Sequence, residues 1–136
     1  MNDIFCKIVK GEIPCYKIYE DKDILAILDI NPVNKGHTLV IPKKHSETIL
    51  DTDEEILKKL IIVTKRISKA VHTGLKCDGF NIGINQFKDA GQLVPHLHFH
   101  IMPRFKGDGI RLWPSRKYES EEERKEVQKK ITRLLK

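Results

Sequence analysis

Three histidines, His96, His98 and His100, fall within five residues and alternate with the apolar Leu97 and Phe99. Imidazole titrates near neutrality, so such a group can supply a nucleophile, a hydrogen-bond donor or a metal ligand. In an extended chain successive side chains point to opposite faces, which sets the three rings in a row at about 6.5–7 Å steps. Leu97, Phe99 and Ile101 then form the reverse, apolar side. An ordinary half-buried strand would carry Thr, Lys or Glu at the outward positions, so three histidines call for a chemical explanation. Two explanations are open. The row could hold a transition metal with one coordination position free, or one imidazole could attack phosphorus while its neighbours hold the phosphate. The preceding stretch offers Asn85, Gln92 and the backbone at Gly91 as neutral donors, with no second acidic cluster. That setting suits a phosphate better than a bare metal.

The rest of the sequence must supply elements that position this row. Ile4, Phe5, Ile8 and Val9 are spaced as one face of a short helix that Gly11 ends. Residues 15–19 and 24–30 are expected as a hairpin around Glu20-Asp-Lys-Asp23, and His37–Ile41 as a third strand before Pro42. Thr52 and Glu55 have the spacing of a capping box, and Ile56, Leu60, Val63, Ile67 and Val71 follow at helical steps, which predicts a long helix ending near Gly74. Residues 80–84 and 96–102 complete five strands, joined by an irregular loop over 85–95. A helix is expected from Ser120, acidic at its start, basic at its end and partly docked through Val127, Ile131 and Leu134 or Leu135. Sequential hairpins with a single long helix argue for an α+β domain built on an antiparallel sheet, not a doubly wound one. A dimer that continues the sheet or pairs the long helices would protect its two edges.

Composition limits the functions available. The chain has 136 residues, 40% hydrophobic and 32% charged, enough for one domain with a core and short for two. No apolar run approaches the ~18–20 residues of a membrane span, and the first residues lack the character of a secretory signal. Three cysteines cannot all pair within one chain, so a reducing cytoplasm is expected. The net charge of +6 is uneven: residues 1–103 hold 14 basic against 13 acidic side chains, and residues 104–136 hold 11 against 6. The basic surplus therefore sits in a C-terminal segment, which weakens the case for a nucleic-acid-binding body. No aromatic-rich stacking surface supports nucleic acid either.

The block His96-Leu-His-Phe-His-Ile-Met102 resembles the signature of the histidine triad (HIT) family of nucleotide hydrolases and transferases. The likeness extends to Ile4–Ile8, Gly11–Pro14, Leu28–Pro32, Gly36–His45 and Gly91-Gln92, in the family's order, and so covers residues 3 to 104. It implies a HIT-like domain over 1–104 followed by a basic segment over 105–136, and a homodimer. It further implies that His98 attacks the α-phosphate of a purine nucleotide and forms a covalent nucleotidyl-histidine, from which water releases the monophosphate. By the same resemblance His100 and the backbone of Gly91, Gln92 and Leu93 hold phosphate oxygens, with Asn85 at the ribose-phosphate end. His37 supports the triad, His96 flanks it, and Asp29 accepts the ribose hydroxyls. Ile4, Phe5, Ile8, Ile27 and Ile30 line the base slot.

The expected substrates are adenylated compounds, nucleoside phosphoramidates or dinucleoside polyphosphates. The alternatives are nucleotidyl transfer or phosphorolysis, and a nucleotide-binding interaction module working through its basic tail. Two departures from the family pattern matter. Leu93 stands where many relatives carry Ser or Thr, and it cannot donate a proton to a leaving group, so weaker phosphoramidate turnover is expected. Some members hold structural zinc through a Cys-x-x-Cys pair and two histidines. The equivalents here are Asp3, Cys6, His45 and His96, with an aspartate in place of one thiolate. No cofactor is required on this reading.

Overall fold

The computed structural model of the chain describes residues 2–135; Met1 and Lys136, the outer bounds of the two expected segments, lie outside the described residues. The elements run α1 (Ile4–Val9), β1 (Lys17–Glu20), β2 (Ile24–Leu28), β3 (Thr38–Pro42), α2 (Glu54–Leu75), β4 (Gly79–Gly83), β5 (Phe99–Arg104) and α3 (Glu121–Thr132), with short 3-10 turns at Ile49–Asp51 and Lys88–Ala90. The strands form one antiparallel sheet in the order β1-β2-β3-β5-β4. This is the expected α+β architecture.

Alternation divides the strands between two apolar layers. Ile24 and Ala26 of β2, Val40 of β3 and Phe99 and Ile101 of β5 face α2, whose Leu60, Val63, Ile67 and Val71 close the main core. Each of these side chains apart from Ala26 contributes about 1.5–3 kcal/mol through burial. Leu25 and Ile27 of β2 and Leu39 and Ile41 of β3 face the other way and meet Phe5 of α1. Covered on both faces, β2 and β3 read in sequence as continuous apolar runs. His100, paired with Leu39 across the ladder, lies on the α1 face.

Three sequence-based expectations change. The fifth strand starts at Phe99 instead of His96, because the β3–β5 ladder ends at the Val40–Phe99 pair. Beyond it Pro42 has no N–H to donate, and the Leu97 amide donates to the Ser46 carbonyl at 2.7 Å. The capping box lies one turn earlier, between Thr48 and Asp51 of the 3-10 turn, and Asp53 precedes α2 without a side-chain cap. The Thr52 hydroxyl instead donates to the Thr48 carbonyl at 2.6 Å. The long helix ends at Leu75, beside Gly74 as expected, where Lys76 takes the left-handed conformation. α3 fully buries none of its residues: Val127 is half-buried while Ile131, Leu134 and Leu135 are exposed, so the docking is slighter than expected. Its thin apolar stripe gives little area to bury against so charged a face.

Candidate active site

The triad row forms where an extended segment runs into β5. His96 and His98 precede the strand and His100 lies within it. Hydrogen bonds assign a proton to each ring. The His98 Nδ1 lies 2.7 Å from the His96 carbonyl, which can only accept, so Nδ1 carries the hydrogen and a neutral ring leaves Nε2 bare. The Val33 backbone N–H donates to His37 Nδ1 at 3.0 Å, so the His37 hydrogen is on Nε2 and is donated to His100 Nδ1 at 2.9 Å. That forces the His100 hydrogen onto Nε2, a buried donor with no partner among the described residues.

The three rings are held neutral. Burial lowers His98 below the ordinary imidazole value of 6.5, against the opposing hydrogen bond to the His96 carbonyl. His100 is pushed down to about 4, by burial first and then by neighbouring His98 and His37. Burial also lowers His37, although Asp29, with a carboxylate oxygen 3.7 Å from His37 Nε2, pulls the other way. The rings of His98 and His100 are 4.8 Å apart, and Phe5 meets His98 edge-on at 4.9 Å. A bare nitrogen thus stands beside an unpartnered N–H, an arrangement able to attack an electrophile and stabilise the negative charge that develops on it.

The residues expected around the triad take several positions. Phe5 and Ile27 are buried together, Ile8 packs at their edge, Ile4 is exposed, and Ile30 is 79% exposed. The Asp29 Oδ1 accepts the Asn31 amide at 2.8 Å, a turn-forming bond that leaves Oδ2 directed near His37. Asn85 and Gly91 border a cavity of about 630 Å³ with His37 and His100. Gly91 has φ +94°, a left-handed backbone, and an added Cβ would come 3.5 Å from the Asn85 amide. The Gln92 side chain is spent within the loop, donating to the Glu47 carbonyl and accepting from the Phe87 amide, both at 2.7 Å. The Gly91 and Gln92 amides likewise donate to the Lys88 and Phe87 carbonyls, so these two residues shape the loop. Leu93 is 91% exposed.

Sequence reasoning missed the Val33 amide, a backbone group with no residue-type signal, and the segment Ile110–Pro114, which forms the far wall of the cavity with Leu112 and Trp113. The expected segment boundary after residue 104 had set that wall apart from the triad.

A second cluster adjoins the first through His96. Asp3, Cys6, His45 and His96 bring one ligand atom each to within 4.8 Å of one another. The His96 Nε2 donates to the Pro42 carbonyl at 2.8 Å, which turns Nδ1 toward the Cys6 sulfur at 3.5 Å and the Asp3 carboxylate at 3.2 Å. The His45 Nδ1 lies 2.9 Å from the same carboxylate. Burial opposes charge on Asp3, but the Cys6 amide and thiol and His96 together bring its carboxyl below the ordinary 3.8. Burial and the Asp3 carboxylate raise the Cys6 thiol. Two imidazole nitrogens, a thiol and a carboxylate converging on one point, with a second-layer carbonyl fixing one ring, fit a tetrahedral zinc ion. Zinc there would supply a structural cross-link between α1, the turn after β3 and the start of the triad. His72, Cys15 and Cys77 join neither cluster; Cys77 is part of the main core and Cys15 packs beside the smaller one.

Similarity to known proteins agrees with this geometry. The adenosine 5'-monophosphoramidase of Schizosaccharomyces pombe is 42% identical over 118 residues, 85% of this chain and 85% of that protein. A HIT family member from Bacillus subtilis superposes with a TM-score of 0.90 at 40% identity, covering 100% of this chain and 99% of that one. A zinc-bound histidine triad family protein from Mycobacterium smegmatis does so with a TM-score of 0.76 at 42% identity, covering 96% and 94%. No helix of the described residues is long and apolar enough to cross a membrane. The family model for the HIT domain matches residues 10–107, and the chain belongs to the histidine triad family.

Proposed function

We propose that the chain is a nucleotidyl hydrolase that cleaves adenylated compounds at the α-phosphate through a covalent intermediate on His98. Family membership and an adenosine 5'-monophosphoramidase among its relatives support a nucleotide hydrolase in general. The observation that carries the specific reading is the pairing of a bare His98 Nε2 with the unpartnered His100 Nε2–H. His98 Nε2 forms a bond to phosphorus while the bond to the leaving group breaks. The negative charge on the phosphoryl oxygens is met by the His100 N–H, and the leaving group departs with a proton from solvent, since Leu93 has none to give. Water then attacks the same phosphorus and gives up a proton to solvent, the P–N bond to His98 breaks to return the neutral ring, and the nucleoside monophosphate leaves.

The two sides of the triad divide the substrate. Phe5, Ile27 and Asp29 lie toward β2 and α1, where an apolar floor beside a carboxylate suits a base and its ribose hydroxyls. The 630 Å³ cavity lies toward β4 and β5, walled by Ile82, Met102, Leu112 and Trp113, and suits the leaving group. Exposed Phe80 and Ile82 on β4, an edge strand, support a homodimer that continues the sheet. Three free cysteines, two of them buried, support a reducing cytoplasm.

The test is incubation with an adenosine phosphoramidate labelled on the α-phosphate, followed by a rapid quench that preserves phosphoramidate bonds. The expected result is adenosine monophosphate release with label transiently on the wild-type protein, and neither with His98→Asn. Release at the wild-type rate by His98→Asn would overturn the reading.

A further inference from the structure

We propose that Asn34 is a positioning residue that, braced by Asp108, holds the Val33 amide against His37 and thereby fixes the His100 tautomer. The inference rests on the reading that His100 meets a phosphate, but its structural part concerns ring protons alone. A neutral imidazole has two tautomers, and only one places an N–H on His100 Nε2. The other would turn a lone pair toward an incoming phosphoryl oxygen, where charge develops. His100 cannot choose by itself, because its Nδ1 faces another imidazole that could equally donate or accept. The choice is made one ring further on, where the Val33 N–H occupies His37 Nδ1.

The loop bearing that amide has little packing to hold it. Ile30, Pro32 and Val33 are all exposed. Asn34 ties the loop to the sheet instead. Its side-chain amide donates both to the Pro103 carbonyl at 2.9 Å and to the Asp108 carboxylate at 3.1 Å, while its backbone carbonyl accepts the His37 amide at 3.0 Å. Asp108 is in turn gripped by Arg104 through two nitrogens at 2.9 and 3.0 Å, and by the Phe105 and Ile110 amides at 3.0 Å each. A carboxylate with five donors has little freedom to move. Asp108 lies just beyond the family match, which ends at residue 107. Asp108 therefore reaches the triad through three hydrogen bonds, with Asn34, from the Val33 amide to His37, and from His37 to His100, without touching it.

The test is nuclear magnetic resonance of the full chain carrying nitrogen-15-labelled histidine near neutral pH, where ring-nitrogen shifts separate protonated from bare positions. In the wild type, His37 and His100 are expected with the hydrogen on Nε2 and His98 with it on Nδ1. Asn34→Ala should add the Nδ1–H form at His37 and His100 and leave His98 unchanged. It should lower kcat about 10- to 100-fold with KM little changed, as loss of an orienting partner commonly does. Asp108→Asn should shift the same two rings less. Unchanged tautomers in Asn34→Ala overturn the proposal whether or not activity falls. A wild type that turns over no adenylated substrate, yet shows the tautomer shift in Asn34→Ala, counts against the hydrolase reading and leaves the positioning role standing. In the wild type alone, a through-hydrogen-bond coupling between the Val33 amide and His37 Nδ1 is expected, and its absence overturns the proposal without any variant.

Discussion

At the scale of single residues, the chemistry rests on where protons sit. His98 and His100 are equivalent in sequence, yet one exposes a bare Nε2 and the other an N–H, because one bonds a carbonyl and the other an imidazole. Replacing His100 with Ala removes the donor and should lower kcat about 10²–10³-fold, the usual cost of one oxyanion donor, as read from steady-state phosphoramidate hydrolysis. The pH dependence of stability follows from the same burial. The folded His100 has a value of about 4 against 6.5 when exposed, so between these values the unfolded chain binds more protons. The contribution is complete above pH 6.5 and is lost as pH falls toward 4; His37 and His98 are lowered too and add in the same direction. Thermal unfolding followed from pH 8 to pH 4 should show the midpoint dropping through that window, and a flat profile would contradict it. Asp3 has two duties, capping α1 through the Cys6 amide at 2.8 Å and facing the Cys6, His45 and His96 cluster. Asp3→Cys should lower metal-free stability by about 1 kcal/mol through the lost cap, and tighten zinc binding in competition with a chromophoric chelator, since thiolate is the softer ligand.

At the scale of elements, close approach decides what can sit beside the triad. Gly36, immediately before His37, has φ +94°, and a Cβ there would stand 2.2 Å from the Leu75 Cδ1 at the end of α2. Gly36→Ala should cost about 1–3 kcal/mol, chiefly as backbone strain at the left-handed φ, because the exposed Leu75 side chain can turn aside, measured by denaturant unfolding. Gly36→Ala with Leu75→Ala should recover only the small part due to that contact, a coupling a double-mutant cycle reads directly. The sequence shows Lys35-Gly36 as a turn before a strand, and that much is correct. It does not show that a helix 39 residues later ends against the same glycine. The third strand was legible as a continuous apolar run and the fourth and fifth for their alternation, but the start of β5 was not. Whether His96 and His98 join the ladder depends on Pro42 across the sheet and on Ser46 taking the Leu97 amide.

At the scale of the whole molecule, the C-terminal segment divides in two. Residues 105–110 are pinned through Asp108 to β5 and to the loop before β3, whereas α3 fully buries none of its residues. Deleting residues 119–136 should change the unfolding midpoint little, and deleting from residue 105 should lower it markedly, because the second deletion also removes the carboxylate that braces Asn34. Equal losses in differential scanning calorimetry would contradict this division. The basic surplus of the segment lies mainly in its unpinned part, where Lys and Arg meet solvent. Trp113, 90% exposed at the rim of the cavity, belongs to neither part's core.

The sequence by itself determined the alternation of three histidines with apolar residues, the two-sided strands, the long amphipathic helix and the family. Each of these is a local pattern whose period matches the backbone geometry that displays it. Only the tertiary structure decided which ring nitrogen holds a proton, that Asp3 joins Cys6, His45 and His96, and that Asn34 and Asp108 stand behind the triad. Those facts depend on hydrogen bonds between residues up to 93 positions apart, and no local period encodes them.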